Sequence, residues 1–261
     1  MHDLPAPAYV ISDAHLGFAP RTVESALLRF LRHLHGRAGS LAINGDLFEF
    51  WFEWRSVVPR AGYRVLAALA DLRDAGVPIV MLAGNHDCWG GDFLRAELGI
   101  DFRLEAWEGS LGGWRTRMEH GDGLRDREDR TYRMLRRVLR NPVAIRAFRF
   151  IHPDLGSALA NRSSHTSRSY NARDGGAGLR GVAERTLALG GAPELLILGH
   201  SHVSDLRRLG RGVYANAGSW LDTPTFLRVT PGRVQLQRWD DDSGEGVDLH
   251  ALDRVPQEAL P

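Results

Sequence analysis

One pattern constrains this chain more than any other: an apolar, strand-like run breaks at a sharp turn and delivers Asp, Asn or His, and it does so five times. The stretches are Val10-Ile11-Ser12-Asp13-Ala14-His15, Ala42-Ile43-Asn44-Gly45-Asp46, Val80-Met81-Leu82-Ala83-Gly84-Asn85-His86-Asp87, Met118-Glu119-His120-Gly121-Asp122 and Ile197-Leu198-Gly199-His200-Ser201-His202. A lone His or Asp is more often structural than catalytic. Five at strand ends are different, because ligands gather where the strands of α/β proteins end. His33, His35, His152, His165 and His250 stand outside the pattern and carry no such signal.

The segments between these runs set the fold class. Residues 8–13 read as a buried strand, Thr22 to His35 as a helix with Val23, Leu27, Phe30, Leu31 and Leu34 at helical spacing, and Ser40 to Gly45 as the next strand. Arg60 to Ala75 repeats the helical pattern and Gly76 closes it; Val77 to Leu82 is a third strand and Asp92 to Leu98 a short helix. Alternation of strand and helix predicts a sheet with helices packed on it. Residues 102–120 read as strands turning at Gly112-Gly113. Strands resume at Glu194 to Leu198 and 213–216, a hairpin follows around Pro231-Gly232, and the acidic tail after Asp240 reads as peripheral.

Residues 125–175 break this rhythm. They are Arg-rich and helical, with Arg133, Arg136, Arg137 and Arg140 on one face and an apolar stripe of Leu135, Leu139, Ala144, Phe148 and Ile151. They read as an insertion between the main-domain segments 1–124 and 176–261. A basic face beside an apolar stripe fits a solvated helix or one that lies at an interface. The aromatic run Phe48 to Trp54, interrupted by Glu49 and Glu53, reads as the wall of a pocket.

The donor types point to divalent cations. Carboxylate, amide and imidazole suit Mn²⁺, Zn²⁺ or Fe²⁺, and the single cysteine, Cys88, supplies neither a thiolate set nor an internal disulfide. In Asp13-x-His15 and His200-x-His202, alternate residues of an extended chain would face one way. Asp46 is the natural bridge between two ions, which would hold a hydroxide and clamp the oxygens of a phosphoryl displacement. His86 is the candidate to meet the phosphoryl or leaving oxygen, with Asp87 orienting it and Asp122 supporting His120.

In this order, Asp-x-His, Gly-Asp, Gly-Asn-His-Asp, His-Gly-Asp and Gly-His-x-His, spanning Asp13 to His202, resemble the calcineurin-like metallophosphoesterases. The resemblance implies a four-layer α/β/β/α sandwich with two divalent ions, Mn²⁺ foremost. One ion would fall to Asp13, His15, Asp46 and His202, the other to Asp46, Asn85, His120 and His200. More narrowly, Gly45-Asp46-Leu47-Phe48-Glu49, His120-Gly121-Asp122-Gly123-Leu124, Glu128-Asp129, Tyr132 and Arg140-Asn141-Pro142 look like the UDP-2,3-diacylglucosamine diphosphatases of lipid A synthesis. That resemblance makes 125–175 a helical lid that holds acyl chains. It implies substrate contacts at Asn85, His86, Asp129, Ser164 and Arg168. It places the protein at the cytoplasmic face of the inner membrane, with a UDP-linked lipid as substrate and with neither nucleic acid nor an obligate protein as partner. The chain departs from that family at His86, where many members carry Arg.

Composition is consistent with this. The formal net charge is +1, which selects neither nucleic acid nor membrane, and all basic side chains are Arg. No run approaches the roughly 18 apolar residues of a membrane span, and Met1 to Pro7 lacks the features of a signal peptide. Two alternatives share the motifs: a hydrolase of soluble phosphodiesters or nucleotides, and a binding scaffold of the same fold. The scaffold would lack a ligand or the His after Asn, and none is missing here.

Overall fold

The strands β2 (Ala8–Ile11), β3 (Ser40–Asn44) and β4 (Ile79–Leu82) are buried along their whole length, so both faces of the sheet they form must be covered. The computed structural model describes residues 2–125, 129–158 and 174–255. It shows how the covering is done. Tyr9, Ile11, Leu41 and Ile43 face α1 (Arg21–His33) and α2 (Tyr63–Asp74), where Leu27, Phe30, Leu66 and Leu69 meet them. Ala8, Val10 and Ala42 face the other way, into a second apolar layer.

That layer lies between two sheets. The seven-stranded sheet runs β13-β12-β11-β2-β3-β4-β5, with β5 at Asp101–Arg103, β11 at Thr225–Thr230, β12 at Arg233–Asp240 and β13 at Glu245–Asp253. The six-stranded sheet runs β1-β6-β7-β8-β10-β9, with β1 at His2–Leu4, β6 at Trp107–Leu111, β7 at Trp114–Met118, β8 at Leu195–Ile197, β9 at Asp205–Leu209 and β10 at Gly212–Asn216. Trp107, Leu111, Met118, Leu195 and Ile197 reach the inter-sheet layer, while Leu196, Leu198 and Tyr214 pack on α5 (Ala177–Leu187). The layers are therefore α/β/β/α, as the resemblance implied.

Three strands escape the sequence reading. β1 and β9 are short edge strands, and β13 occupies the tail that read as peripheral. β13 is mostly exposed and holds the sheet through its pairing with β12 alone, so it buries too little apolar surface to leave a pattern. The short helix after β4 is a single π-turn, Phe93–Glu97.

Between β7 and α5 the chain leaves the sheets and forms α3 (Arg130–Leu139) and α4 (Pro142–Phe148). Asn141 caps α4, its side chain accepting from Val143 N and Ala144 N, and Pro142 sits at the first helical position, where its missing N–H costs nothing. α3 has no buried residue, and Met134, Leu135, Val138 and Val143 are exposed. The expected apolar stripe divides: Leu135 faces solvent, whereas Phe148 packs among Phe50, Phe52, Trp54 and Trp89, with ring centroids 4.8–6.4 Å apart. Trp54 Nε1 donates to Ile151 O at 3.1 Å and Trp89 Nε1 to Leu139 O at 2.8 Å. The run 48–54 is thus not an open wall. Phe48 and Trp51 belong to the core, and the remaining rings form a joint that fastens α3 and α4 to the loops after β3 and β4.

Phe148→Ala removes the central ring of that joint, forfeiting on the order of 2 kcal/mol of local burial. Limited trypsin digestion at the arginines of α3 should accelerate several-fold, while the unfolding midpoint of the sheets moves little.

Candidate metal centre

The five loops meet at the carboxyl ends of strands from both sheets: β2, β3 and β4 from one, β7 and β8 from the other. Backbone bonds fix them to one another. Asp13 N donates to Gly45 O at 3.1 Å, His15 N to Asp46 O at 3.0 Å and Gly199 N to His120 O at 2.7 Å. Asp87 is the hub of the first group: its carboxylate accepts from Gly84 N, Asp46 N, Leu47 N and Phe48 N at 2.7–3.5 Å. It does not orient the His86 ring, as the sequence suggested; it ties the turns after β3 and β4 together. A Cβ on Gly84 would stand 2.0 Å from Asp46 Oδ1, so only glycine lets these turns approach.

Five of the expected ligands have left-handed backbone: Asp13, His15, Asp46, His200 and His202, with φ from 47° to 64°. They are the only non-glycine residues with positive φ among those described. This also corrects the expected geometry of the two x-spaced pairs. Asp13 with His15, and His200 with His202, lie beyond their strands, so β alternation does not aim them; successive left-handed turns do. Strained backbone of this kind clusters where a site demands it.

The side chains fall into two groups. Atoms of Asp13, His15 and His202 lie together, as do atoms of Asp46, His120 and His200. His202 Nε2 is 3.4 Å from Asp13 Oδ1, and His120 Nε2 is 3.2 Å from Asp46 Oδ2. Asp46 also stands 4.0 Å from His15 Nε2, between the groups. Asn85 presents a buried Oδ1 without a hydrogen-bond partner, as Asp13 does with Oδ1 and His120 with Nε2.

The outer partners fix which nitrogen of each ring faces inward. His15 Nδ1 donates to Glu49 Oε2 at 3.0 Å, His202 Nδ1 to Asp222 Oδ2 at 3.0 Å and His120 Nδ1 to Asn44 O at 2.7 Å. With a cation bound, each ring would be neutral and would direct its Nε2 lone pair into the site. His15 Nε2 and His202 Nε2 face each other at 3.2 Å, close enough to share a proton or a cation. The donors fit divalent metal, all oxygen or nitrogen. Charge follows the same logic. Burial opposes ionisation of Asp46, but the imidazoles of His120, His86 and His15 outweigh it and hold its carboxyl well below the usual range. Burial likewise opposes a charged His120, and Asp46 overrides it, raising that ring well above its ordinary value. His200 is lowered, by burial first and then by His120.

His86 is buried beside these groups. Its backbone N–H donates to Asp46 Oδ1 at 2.9 Å and its Nδ1 to Glu49 O at 3.0 Å, which leaves Nε2 to meet a ligand. Glu49 therefore serves two histidines, yet it carried no role in the sequence reading although it lies three residues after Asp46. Asp222 had no motif to reveal it. Burial pushes the Cys88 thiol up to about 12, which suits a packed side chain and not a nucleophile.

Other expected contacts lie elsewhere. Asp129 is buried and its carboxylate is taken by Arg125, at 2.7 Å from Nη2, so it steadies the base of α3 and is not open to a ligand. Asp122 does not reach the His120 ring; Tyr132 Oη donates to its carboxylate at 2.7 Å. Ser164 and Arg168, expected to touch substrate, lie outside the described residues.

The sequence profile of the calcineurin-like phosphoesterases matches residues 6–204, which embraces all seven expected ligands. The chain belongs to the calcineurin-like phosphoesterase family and is a metal-dependent hydrolase. Among its relatives, the UDP-2,3-diacylglucosamine hydrolase of Pseudomonas fluorescens is 30% identical over 257 residues, covering 97% of this chain and 98% of that protein. The UDP-2,3-diacylglucosamine hydrolase of Porphyromonas gingivalis is 39% identical over 164 residues, covering 61% of this chain and 63% of that protein. Of solved structures, vacuolar protein sorting 29 of Cryptosporidium parvum aligns over 95% of this chain and 97% of its own, at 12% identity and a TM-score of 0.46.

Asp46→Ala removes the carboxylate that stands between the two groups. Hydrolysis should fall to background and calorimetric uptake of divalent metal should be lost at one or both positions, with cooperative thermal unfolding retained. Unchanged turnover would refute the site.

Proposed function

We propose that this protein hydrolyses the pyrophosphate of UDP-2,3-diacylglucosamine, releasing UMP and 2,3-diacylglucosamine 1-phosphate for lipid A synthesis, with two Mn²⁺ ions. The observation that carries this reading is where α3 and α4 are fastened. Their anchors are Trp54 and Phe50 after β3, Trp89 after β4 and Asp122 after β7, so an element with exposed apolar side chains borders the loops that bring Asp46, Asn85 and His120 together. A lipid-linked pyrophosphate needs both halves: a charged centre for the phosphates and apolar surface for the acyl chains. Two of the relatives named above are UDP-2,3-diacylglucosamine hydrolases by name.

Divalent ions held by Asp13, His15, Asp46, Asn85, His120, His200 and His202 would activate water and neutralise charge on the phosphoryl oxygens. Asp46 accepts positive charge at the middle of the site, and the outer partners Glu49, Asn44 and Asp222 keep three imidazoles turned inward. His86, with Nδ1 committed to Glu49 O, offers Nε2 to the phosphoryl or leaving oxygen. Asn85 offers its amide beside it. Contact with the bilayer fits the same surface: Met134, Leu135, Val138, Val143 and Phe150 are exposed and Arg137, Arg146 and Arg149 lie among them, a composition suited to the anionic inner face of the membrane. Among the described residues no helix is long and apolar enough to cross a membrane.

The test is UMP release from UDP-2,3-diacylglucosamine in mixed micelles with Mn²⁺, beside UDP-N-acetylglucosamine and a soluble phosphodiester. The lipid should be turned over and the soluble compounds spared. His86→Ala should lower kcat by about 10²–10⁴ while Mn²⁺ uptake is kept. Turnover of the soluble diester without UMP release from the lipid would reject the reading.

A further inference from the structure

The polar face of α3 is spent on one short loop, the loop that follows His120. Tyr132 Oη donates to Asp122 Oδ2 at 2.7 Å, and Arg136 Nη1 donates to Asp122 O at 3.1 Å and lies 3.7 Å from the same carboxylate. One turn earlier, Arg133 Nη1 reaches Gly123 O at 3.3 Å and Arg125 O at 2.7 Å. Three side chains of the helix, Tyr132, Arg133 and Arg136, thus take up three carbonyls and a carboxylate of residues 122–125.

The loop needs such an outside hold. Gly121 and Gly123 flank Asp122 with φ of 113° and 84°, so its own backbone has little to keep it in one conformation. Asp122 is only 4% exposed. A buried carboxylate deprived of its donors is costly and turns toward water. Here that movement would travel through Gly121 to His120, whose Nε2 must stay beside Asp46 while Nδ1 stays on Asn44 O.

We propose that Tyr132 and Arg136 are positioning residues for the His120 half of the centre, so that α3 braces one metal position and not the other. The other half, Asp13, His15 and His202, takes its support from Glu49 and Asp222, and neither is a residue of α3. The inference rests on the reading that this centre takes two divalent ions, and it adds an asymmetry to it. The insertion then does more than present apolar surface: docking of α3 and occupancy of the His120 half rise and fall together.

The half-sites can be read one at a time by calorimetric titration with Mn²⁺ alone, without substrate. His202→Ala leaves Asp46, Asn85, His120 and His200; His120→Ala leaves Asp13, His15, Asp46 and His202. Adding Tyr132→Phe, which deletes a single hydroxyl and preserves the ring, should weaken Mn²⁺ binding about tenfold in the first background and leave the second unchanged. Arg136→Ala should act in the same direction and more strongly. Equal weakening in both backgrounds, or none in the first, overturns the proposal. Failure of the unmodified protein to take up two Mn²⁺ would instead overturn the two-metal reading beneath it, and the asymmetry with it.

Discussion

A carboxylate outside the expected ligand set holds this site together. Asp87 accepts four backbone N–H groups from the turns after β3 and β4, and by doing so it fixes Asp46 and His86 at once. Without it, two strand ends would carry unsatisfied donors into a buried, anionic pocket. The same logic recurs further out. Asn44 gives its carbonyl to His120, Glu49 gives carboxylate and carbonyl to His15 and His86, and Asp222 holds His202. The groups of chemical interest stand in a frame of ordinary hydrogen bonds that leaves their inner atoms, Asp13 Oδ1, Asn85 Oδ1 and His120 Nε2, without hydrogen-bond partners.

The parallel core and the six Asp and His side chains that cluster at the strand ends were legible in the sequence, because both arise from short, local signals. A strand buried on two faces reads as an unbroken apolar run, and β2, β3 and β4 do so. A strand at an edge need not: β13 pairs on one side and faces water on the other, and its residues Glu245 to Asp253 give no run to detect. The outer partners were hidden for another reason. Glu49 sits in an aromatic stretch whose bulk suggested a pocket wall, and Asp222 comes to His202 from twenty residues away through a loop of no fixed pattern. Asp129 was misjudged because adjacency in sequence to α3 says nothing of direction; it points into the seam at the base of the helix, where Asp122 also turns to meet Tyr132.

α3 also reverses the usual economy of an amphipathic helix. Tyr132, Arg133 and Arg136 turn toward the protein, while Met134, Leu135 and Val138 turn outward. A single nitrogen carries each set of contacts: Arg133 Nη1 reaches two carbonyls, and Arg136 Nη1 donates to one carbonyl and lies beside a carboxylate.

The left-handed backbone at five ligand positions reaches beyond geometry into metal choice. Side chains that settle in that conformation are, besides glycine, chiefly Asn, Asp and His, whose short polar groups ease the strain. Glutamate and cysteine are equally competent ligands in other proteins, yet they gain no such relief. The turn conformation therefore filters the donors before any ion arrives, passing oxygen and imidazole nitrogen and excluding sulfur. What kind of ion this protein can hold is in part written into the handedness of its loops.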